Sequence, residues 1–333
     1  MEKLKIGVVG SGHLGKIHLK LLLELKDQFD VVGFYDFDAE TRTSVANQFH
    51  VTAFDNFDKL LENVTCIDIV TPTPSHFVYA KQAVQLGKAV FIEKPMTQTM
   101  DEALELIELT KKHNSLVQIG HVERFNAAFQ SAIPYFNQPL FIESHRLSQY
   151  NPRGTDVPVV LDLMIHDIDI VLKVVNSPLK TVSASGVSIV TDTHDIANAR
   201  LEFENGCVAN LTASRLSMKN MRKSRFFQKD AYISVDFLNK ELEVVRLEKV
   251  AGEVDPFDLI LQVGKRQEPR RMIIEKPILG ESNAIRDELL AFAKSIHFDL
   301  PPIVSVQDGF KAIEVAYAIL DKMTTVPQFD DFQ

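Results

Sequence analysis

Asp162 and His166 stand four residues apart in Leu161-Asp162-Leu163-Met164-Ile165-His166-Asp167-Ile168-Asp169. On a helix that spacing puts both side chains on one face. Asp169, three beyond His166, extends the same stripe, while Leu161, Met164, Ile165, Ile168 and Leu172 share another. A stripe of Asp and His within an apolar helix is expensive to bury unless it lines a site. Histidine titrates nearest neutrality, so it suits proton exchange with a hydroxyl group. The plain alternative is a satisfied helix histidine with an acid near the helix N-terminus. A divalent metal on Asp162, His166 and Asp169 is a third reading. No HExxH or cysteine cluster accompanies it, so no metal is assigned.

Glu93-Lys94-Pro95 follows the apolar run Ala89-Val90-Phe91-Ile92. A lysine emerging at a strand end over a crevice is incompletely hydrated, which lowers its pKa and makes it a usable acid, base or hydroxyl orienter. Pro95 holds the turn and can take a cis bond. A generic surface lysine is the competing reading.

The third group is Gly10-Ser11-Gly12-His13-Leu14-Gly15, read with Asp36. A buried-strand pattern, Lys5-Ile6-Gly7-Val8-Val9, runs into it, and a helical pattern continues from it. Gly10 permits the tight turn, Gly12 lets backbone approach a pyrophosphate, and Gly15 lets helix and strand pack closely. His13 and Leu14 open the helix, whose N-terminus offers unpaired N–H groups to phosphates. Val31-Val32-Gly33-Phe34-Tyr35 ends in Asp36, 21 positions after Gly15. That is the spacing at which an acid meets the adenosine ribose hydroxyls. A carboxylate there repels a 2′-phosphate, so NAD is the expected cofactor rather than NADP. A glycine turn with a surface Asp is the bland alternative.

Two further segments bear on the same site. Thr71-Pro72-Thr73-Pro74-Ser75-His76 is a rigid loop after the strand Ile67-Asp68-Ile69-Val70. Thr71, Pro72, Thr73 and His76, together with Glu93 and Lys94, are candidate cofactor contacts. Ser75 or His76 can instead simply cap the next helix. Gly120-His121-Val122-Glu123-Arg124-Phe125-Asn126 places four polar side chains at a domain junction. Glu123, Arg124 and Asn126 are candidate substrate contacts there, Arg124 for a phosphate or carboxylate. The alternative is a capped helix start with a surface charge pair. The basic run Arg215, Lys219, Arg222, Lys223 and Arg225 could hold an anionic substrate part such as a diphosphate, but most of its members are read as solvated.

These residues need elements to position them. Strand patterns at 4–9, 31–35, 66–70, 89–92 and 116–119 alternate with helix patterns at 14–26, 39–49, 57–62, 76–86 and 100–113. Such alternation builds a parallel sheet with right-handed crossovers. Beyond Gly120 the character changes. A helix at about 123–136 leads to a strand at 139–149, a polar loop at 150–157 and a helix at about 159–174. Strands follow at 181–190, 196–204, 207–216, 223–228, 231–236, 241–248 and 270–275, joined by turns such as Glu204-Asn205-Gly206. Short strands joined by hairpins predict an antiparallel sheet. Helices at 282–297 and 305–322 close the pattern, with a loose tail at 327–333. The expected domains are 1–121 and 122–326, with 305–322 free to pack back on the first. Val187, Ile189, Leu201, Phe203, Leu211 and Phe237 argue against a sheet polar on both sides. A homo-oligomer through that sheet is therefore expected.

A chain of 333 residues suits two domains. The net charge of −9 argues against nucleic acid or an anionic membrane as partner. No apolar run is long enough to span a bilayer, and no charged-then-apolar leader precedes Ile6. Cys66 and Cys207 lie in apolar segments outside any CxxC pair and read as buried thiols of a reducing, cytoplasmic protein.

GSGHLG with Asp36, TPTPSH, EKP and the Asp162–His166 pair together make this chain resemble the Gfo/Idh/MocA oxidoreductases over almost its whole length. The resemblance implies an α/β chain: an N-terminal Rossmann domain and a C-terminal α+β domain with a large, open, mostly antiparallel sheet. It implies Lys94, Asp162 and His166 as the active-site trio. His166 would be the base for a substrate hydroxyl, Lys94 its orienter, and Asp162 the residue that positions substrate or His166. Within the family, 120–126 and 161–169 look most like enzymes that oxidise the C3 hydroxyl of a UDP-N-acetylhexosamine or its uronate. Ala127 departs from the proline usual at that position. The alternatives are a dehydrogenase of a free polyol or sugar, a reductase of a cyclic imine or tetrapyrrole, and a non-catalytic NAD-binding sensor.

Overall fold

The computed structural model describes residues 2–151, 157–250, 259–264 and 268–323. The tail at 327–333 and positions 152–156 of the polar loop lie outside the described residues. The chain divides into two compact units: 1–125 with 283–314, and 126–282 with 315–333.

The first unit holds a six-stranded parallel sheet. Its strands are β1 (Leu4–Val9), β2 (Phe29–Tyr35), β3 (Ala53–Phe54), β4 (Cys66–Ile69), β5 (Ala89–Glu93) and β6 (Val117–Gly120), in the order β3-β2-β1-β4-β5-β6. Neighbouring β1 and β4 lead to helices that run in opposite directions along the sheet order, which opens a crevice at their carboxyl ends. The crossover helices are α1 (His13–Glu24), α2 (Ala39–Phe49), α3 (Phe57–Asn63), α4 (His76–Gln85) and α5 (Met100–His113). Thr99 and Glu102 form a reciprocal capping box at the start of α5.

The sequence reading put α8 (Ala284–Phe298) in the second domain, whereas it belongs to the first unit. The reason is packing. Leu289, Phe292 and Ala293 of α8 share one buried cluster with Ile6, Val8, Leu19, Leu22 and Phe91. Phe292 meets Phe91 edge-on, with ring centroids 5.9 Å apart. The final helix α9 (Val306–Lys322) contributes to both units.

The second unit carries a nine-stranded sheet. Its strands are β7 (Phe141–Leu147), β8 (Leu179–Val187), β9 (Ile196–Phe203), β10 (Val208–Ser214), β11 (Met221–Phe227), β12 (Ala231–Asp236), β13 (Glu241–Lys249), β14 (Leu259–Val263) and β15 (Glu268–Glu275). The order is β14-β15-β13-β12-β11-β7-β10-β9-β8, antiparallel except for the β7–β10 pair. The sequence pattern missed β14 and the two-residue β3. Helix α6 (Ala127–Ala132) lies against β12 and β13, and α7 (Ile165–Val175) against β7 and β10.

The single helix expected at 123–136 is broken into a 3₁₀ turn (Val122–Phe125), α6 and a second 3₁₀ turn (Ile133–Tyr135). Asn126 stops the first turn by capping α6. Pro134, with no N–H and a bulky ring, cannot continue α6. Ala127 occupies the first position of α6, where proline is well tolerated. The departure at Ala127 therefore leaves the local backbone unchanged.

Leu201, Phe203, Leu211 and Phe237 are buried within the chain itself. They lie on the covered face and say nothing about the other one. That face carries charged and amide side chains such as Arg200, Asn210, Glu143 and Arg225, paired strand to strand. It also bears an apolar row. Register aligns Val208, Phe141, Phe227, Tyr232, Val245 and Ile274 across six strands.

Candidate active site

Gly10 turns the chain out of β1 with φ +92°, a conformation that favours glycine. A Cβ on Gly15 would sit 2.1 Å from the Gly10 carbonyl oxygen. These two glycines let turn and helix close on each other. Gly12 differs, because nothing lies within 4 Å of where its Cβ would be. It is the N-cap of α1, with no side-chain cap and no acid in the first turn. The first N–H groups of α1 thus open onto bare space, which suits an anion.

A cavity of about 900 Å³ surrounds that space. Gly10, Gly12, His13, Leu14, Asp36, Thr71, Pro72, Glu93 and Lys94, candidate cofactor contacts of the sequence reading, line it. Gly15 lies behind the turn, and neither Thr73 nor His76 is among the lining residues. His76 is buried, with Nδ1 2.8 Å from the Pro95 carbonyl oxygen and Nε2 2.7 Å from that of Thr71. Burial pulls its pKa below the ordinary histidine value. His76 ties two loops together instead of meeting the cavity. Ser75 donates to Thr71 Oγ1 at 2.7 Å, which stiffens the same loop, and does not cap α4.

Asp36 sits at the cavity edge and is 8 % exposed. Its Oδ2 accepts the Ser11 N–H at 2.7 Å and the Ser11 hydroxyl at 2.9 Å, and its Oδ1 accepts the Asp38 N–H at 3.1 Å. Arg42 braces the strand end by donating to the carbonyl oxygens of Asp36 and Phe37, at 2.6 and 3.1 Å. Phe37, 80 % exposed, also lines the cavity, as does Tyr79. Sequence reasoning missed both. The available signal for Phe37 was an aromatic residue directly after the acid.

Lys94 follows β5, and its N–H donates to Glu93 Oε2 at 3.1 Å. The Lys94–Pro95 peptide is cis, as Pro95 allows.

In the second unit, the helix expected at 159–174 begins as a π-turn (Val160–Met164) and continues as α7. Asp162 stands in the π-turn and His166 near the start of α7, and both are half-buried. Asp169 is buried, so it does not extend that partly accessible stripe. Asp167, unassigned in the sequence, is buried with Arg146, whose Nε donates to its Oδ2 at 2.8 Å. π-turns occur often at functional positions because they re-aim side chains within a helix.

Glu123, Arg124 and Asn126 are all buried. Arg124 lies 3.7 Å from Asp308. Asn126 accepts the Ala128 N–H at 3.1 Å and donates to the Phe237 carbonyl at 2.9 Å. Capping accounts for Asn126, as the plainer reading of this segment allowed. Of the basic run, Arg215 is buried, Lys219 and Arg222 are exposed, and Lys223 and Arg225 are intermediate.

A carboxylate held beside a bare helix N-terminus is what a dinucleotide needs for ribose and pyrophosphate, and the open space at Gly12 leaves room for it. The residues present therefore fit NAD. Residues 4–121 match the oxidoreductase family with an NAD-binding Rossmann fold, and residues 117–230 match the GFO/IDH/MocA C-terminal domain. The chain belongs to the Gfo/Idh/MocA family and is an NAD-dependent dehydrogenase. It is 39 % identical over 245 residues to UDP-N-acetylglucosamine 3-dehydrogenase of Acidithiobacillus ferrooxidans, covering 73 % of this chain and 77 % of that one. A crystal structure of the Acidithiobacillus ferrooxidans enzyme superposes with a TM-score of 0.86 at 32 % identity, covering 97 % and 98 % of the two chains. The scyllo-inositol dehydrogenase of Lactobacillus casei, solved with NAD(H) and scyllo-inositol, shares the fold (TM-score 0.77, 19 % identity, 97 % of each chain). Among the described residues no helix is long and apolar enough to cross a membrane.

Proposed function

We propose that this enzyme oxidises a ring hydroxyl of a sugar nucleotide to a ketone, at C3 of a UDP-N-acetylhexosamine or its uronate. The likeness to UDP-N-acetylglucosamine 3-dehydrogenase, 39 % over 245 residues, carries the reading. Bound NAD supplies the hydride acceptor. The chain's own residues handle the proton. His166 takes it from the substrate hydroxyl, Lys94 orients that oxygen and shares the proton, and Asp162 positions His166 or the substrate. The partial exposure of Asp162 and His166 supports these roles. Gly10, Gly12, His13, Leu14, Asp36, Thr71, Pro72 and Glu93 hold the cofactor. Glu123, Arg124 and Asn126 stay in this reading as candidate substrate contacts, buried as Asp36 and Glu93 are, with Asn126 also capping α6.

The test is turnover with NAD⁺ against UDP-N-acetylglucosamine, its uronate, free inositol and simple hexoses, followed by NADH formation. A carbonyl trap and 2-oxoglutarate guard against stalling at equilibrium or on retained NADH. Activity confined to a UDP-sugar supports the reading. Activity only on free polyols discards the nucleotide substrate.

The reading includes a homo-oligomer assembled through the exposed sheet face and a cytoplasmic location. The apolar row across that face supports the first, with Phe227 5.9 Å from Phe141 and 5.1 Å from Tyr232, ring to ring. Two buried free thiols support the second, Cys66 pushed up to about 12 by burial and Cys207 to about 11. Sedimentation of wild type and Phe227→Asp checks assembly. A wild-type monomer at micromolar concentration would sink it. Fractionation of the expressing cells checks location.

A further inference from the structure

Four ionisable side chains meet inside the first unit. His18 comes from α1, Asp68 from β4, Glu93 from β5 and Glu288 from α8, and the side chains of His18, Asp68 and Glu288 are wholly buried. His18 Nδ1 lies 3.0 Å from Asp68 Oδ2, and its Nε2 lies 3.3 Å from Glu93 Oε1. One imidazole ring therefore spans two carboxyl groups. Glu288 completes the group, with donor atoms of His18, Glu93 and Glu288 within 4.8 Å of one another. Neither Glu288 oxygen has a hydrogen-bond partner among the described residues. An ionised carboxylate so placed, beside two others, would face severe desolvation and repulsion.

We propose that Glu288 holds a proton at neutral pH and that His18, Asp68 and Glu288 act as positioning residues for the Glu93–Lys94 strand end. The role given to Lys94 rests on the function proposed above. Glu93 is the link. It faces His18 with one oxygen and takes the Lys94 N–H with the other, so whatever moves Glu93 moves the backbone of Lys94.

The charges around the group agree with this arrangement. Burial raises Glu288 well above the ordinary carboxylate value, and the negative charges of Glu93, Asp68 and Glu123 add to it against His18. Burial works against a charged His18, yet Asp68 and then Glu93 raise its pKa well above the usual value. Burial also pushes Glu93 up, but His18 and Lys94 bring it below the usual range. The groups that face the cluster are thus Asp68 from β4, Glu93 and Lys94 from β5 and its end, Glu123 from the 3₁₀ turn, and His18 from α1.

Glu288→Gln is the discriminating variant, because an amide mimics the neutral acid. The infrared difference spectrum between wild type and Glu288→Gln should show a protonated-carboxyl band near neutrality. That readout needs only the folded protein, so it stands even if Lys94→Ala turns over normally and the role of Lys94 falls. In turnover against pH, the alkaline fall of the wild type should move upward in Glu288→Gln by about one unit or more. His18→Asn keeps a donor toward Asp68 and removes the cation from Glu93. Its kcat should fall about tenfold or more, with the KM for NAD⁺ within about twofold. No protonated-carboxyl band, superimposable alkaline limbs, or a stoichiometric divalent metal lost in Glu288→Gln would each overturn the proposal.

Discussion

Asp36 and Ser11 are joined twice: the Ser11 N–H and the Ser11 hydroxyl both donate to Asp36 Oδ2, at 2.7 and 2.9 Å. The glycine turn and the acid therefore form one rigid piece. Asp36→Ala should weaken NAD⁺ and relax discrimination against NADP⁺. Ser11→Ala should do so less, because the backbone donor remains. Cofactor titrations with both dinucleotides check this, and an unchanged preference in Asp36→Ala would remove Asp36 from the ribose.

Lys94→Ala and His166→Ala should keep NAD binding and lose turnover. Loss of a general base costs about 10²–10⁴-fold in rate. Steady-state kinetics beside NADH fluorescence titration separate the two effects. Near-normal kcat in both variants would end the assignment.

His18 and Glu288 both hold protons more tightly folded than unfolded. Their contribution is fully present below the unfolded values, about 6.5 for His and 4.3 for Glu, and is lost as pH rises through the raised folded values. Stability should therefore decline toward alkaline pH. The Tm of Glu288→Gln minus that of wild type should widen as pH rises. Thermal melts across a pH series measure it, and a constant gap contradicts a tightly held proton on Glu288.

Phe292→Ala should cost about 3–5 kcal/mol, because it leaves a cavity beside Phe91 in a fully buried cluster. Denaturant unfolding measures the loss. A cost below about 1 kcal/mol would show that α8 does not complete this core.

The nucleotide half was largely legible because its cues are local. The limits of α2 and α5 coincide with their helix patterns, and the glycine turn and Asp36 occupy the places their spacing gives. The losses arose where tertiary contacts decide. Nothing near residue 284 says that Phe292 will pack on Phe91. Asn126 caps α6 and Arg124 is buried beside Asp308, partners that the sequence does not reveal because it shows polarity and hides burial. The π-turn at Asp162 has no period a helical pattern would reveal. His18 and Asp68 were visible as lone ionisable residues in apolar segments. That signal becomes a cluster only when α1, β4, β5 and α8 are brought together.

The membership of α8 in the first unit has a consequence for synthesis. The chain leaves that unit after residue 125 and returns at residue 283. During translation the apolar surface made by Ile6, Leu19, Leu22 and Phe91 must wait for Phe292, while more than 150 intervening residues emerge. Contacts so distant in sequence are slow to form and leave apolar surface open meanwhile. The nucleotide half is the first to be made and among the last to be finished, so the nascent chain is most vulnerable to aggregation while its second sheet is still being built.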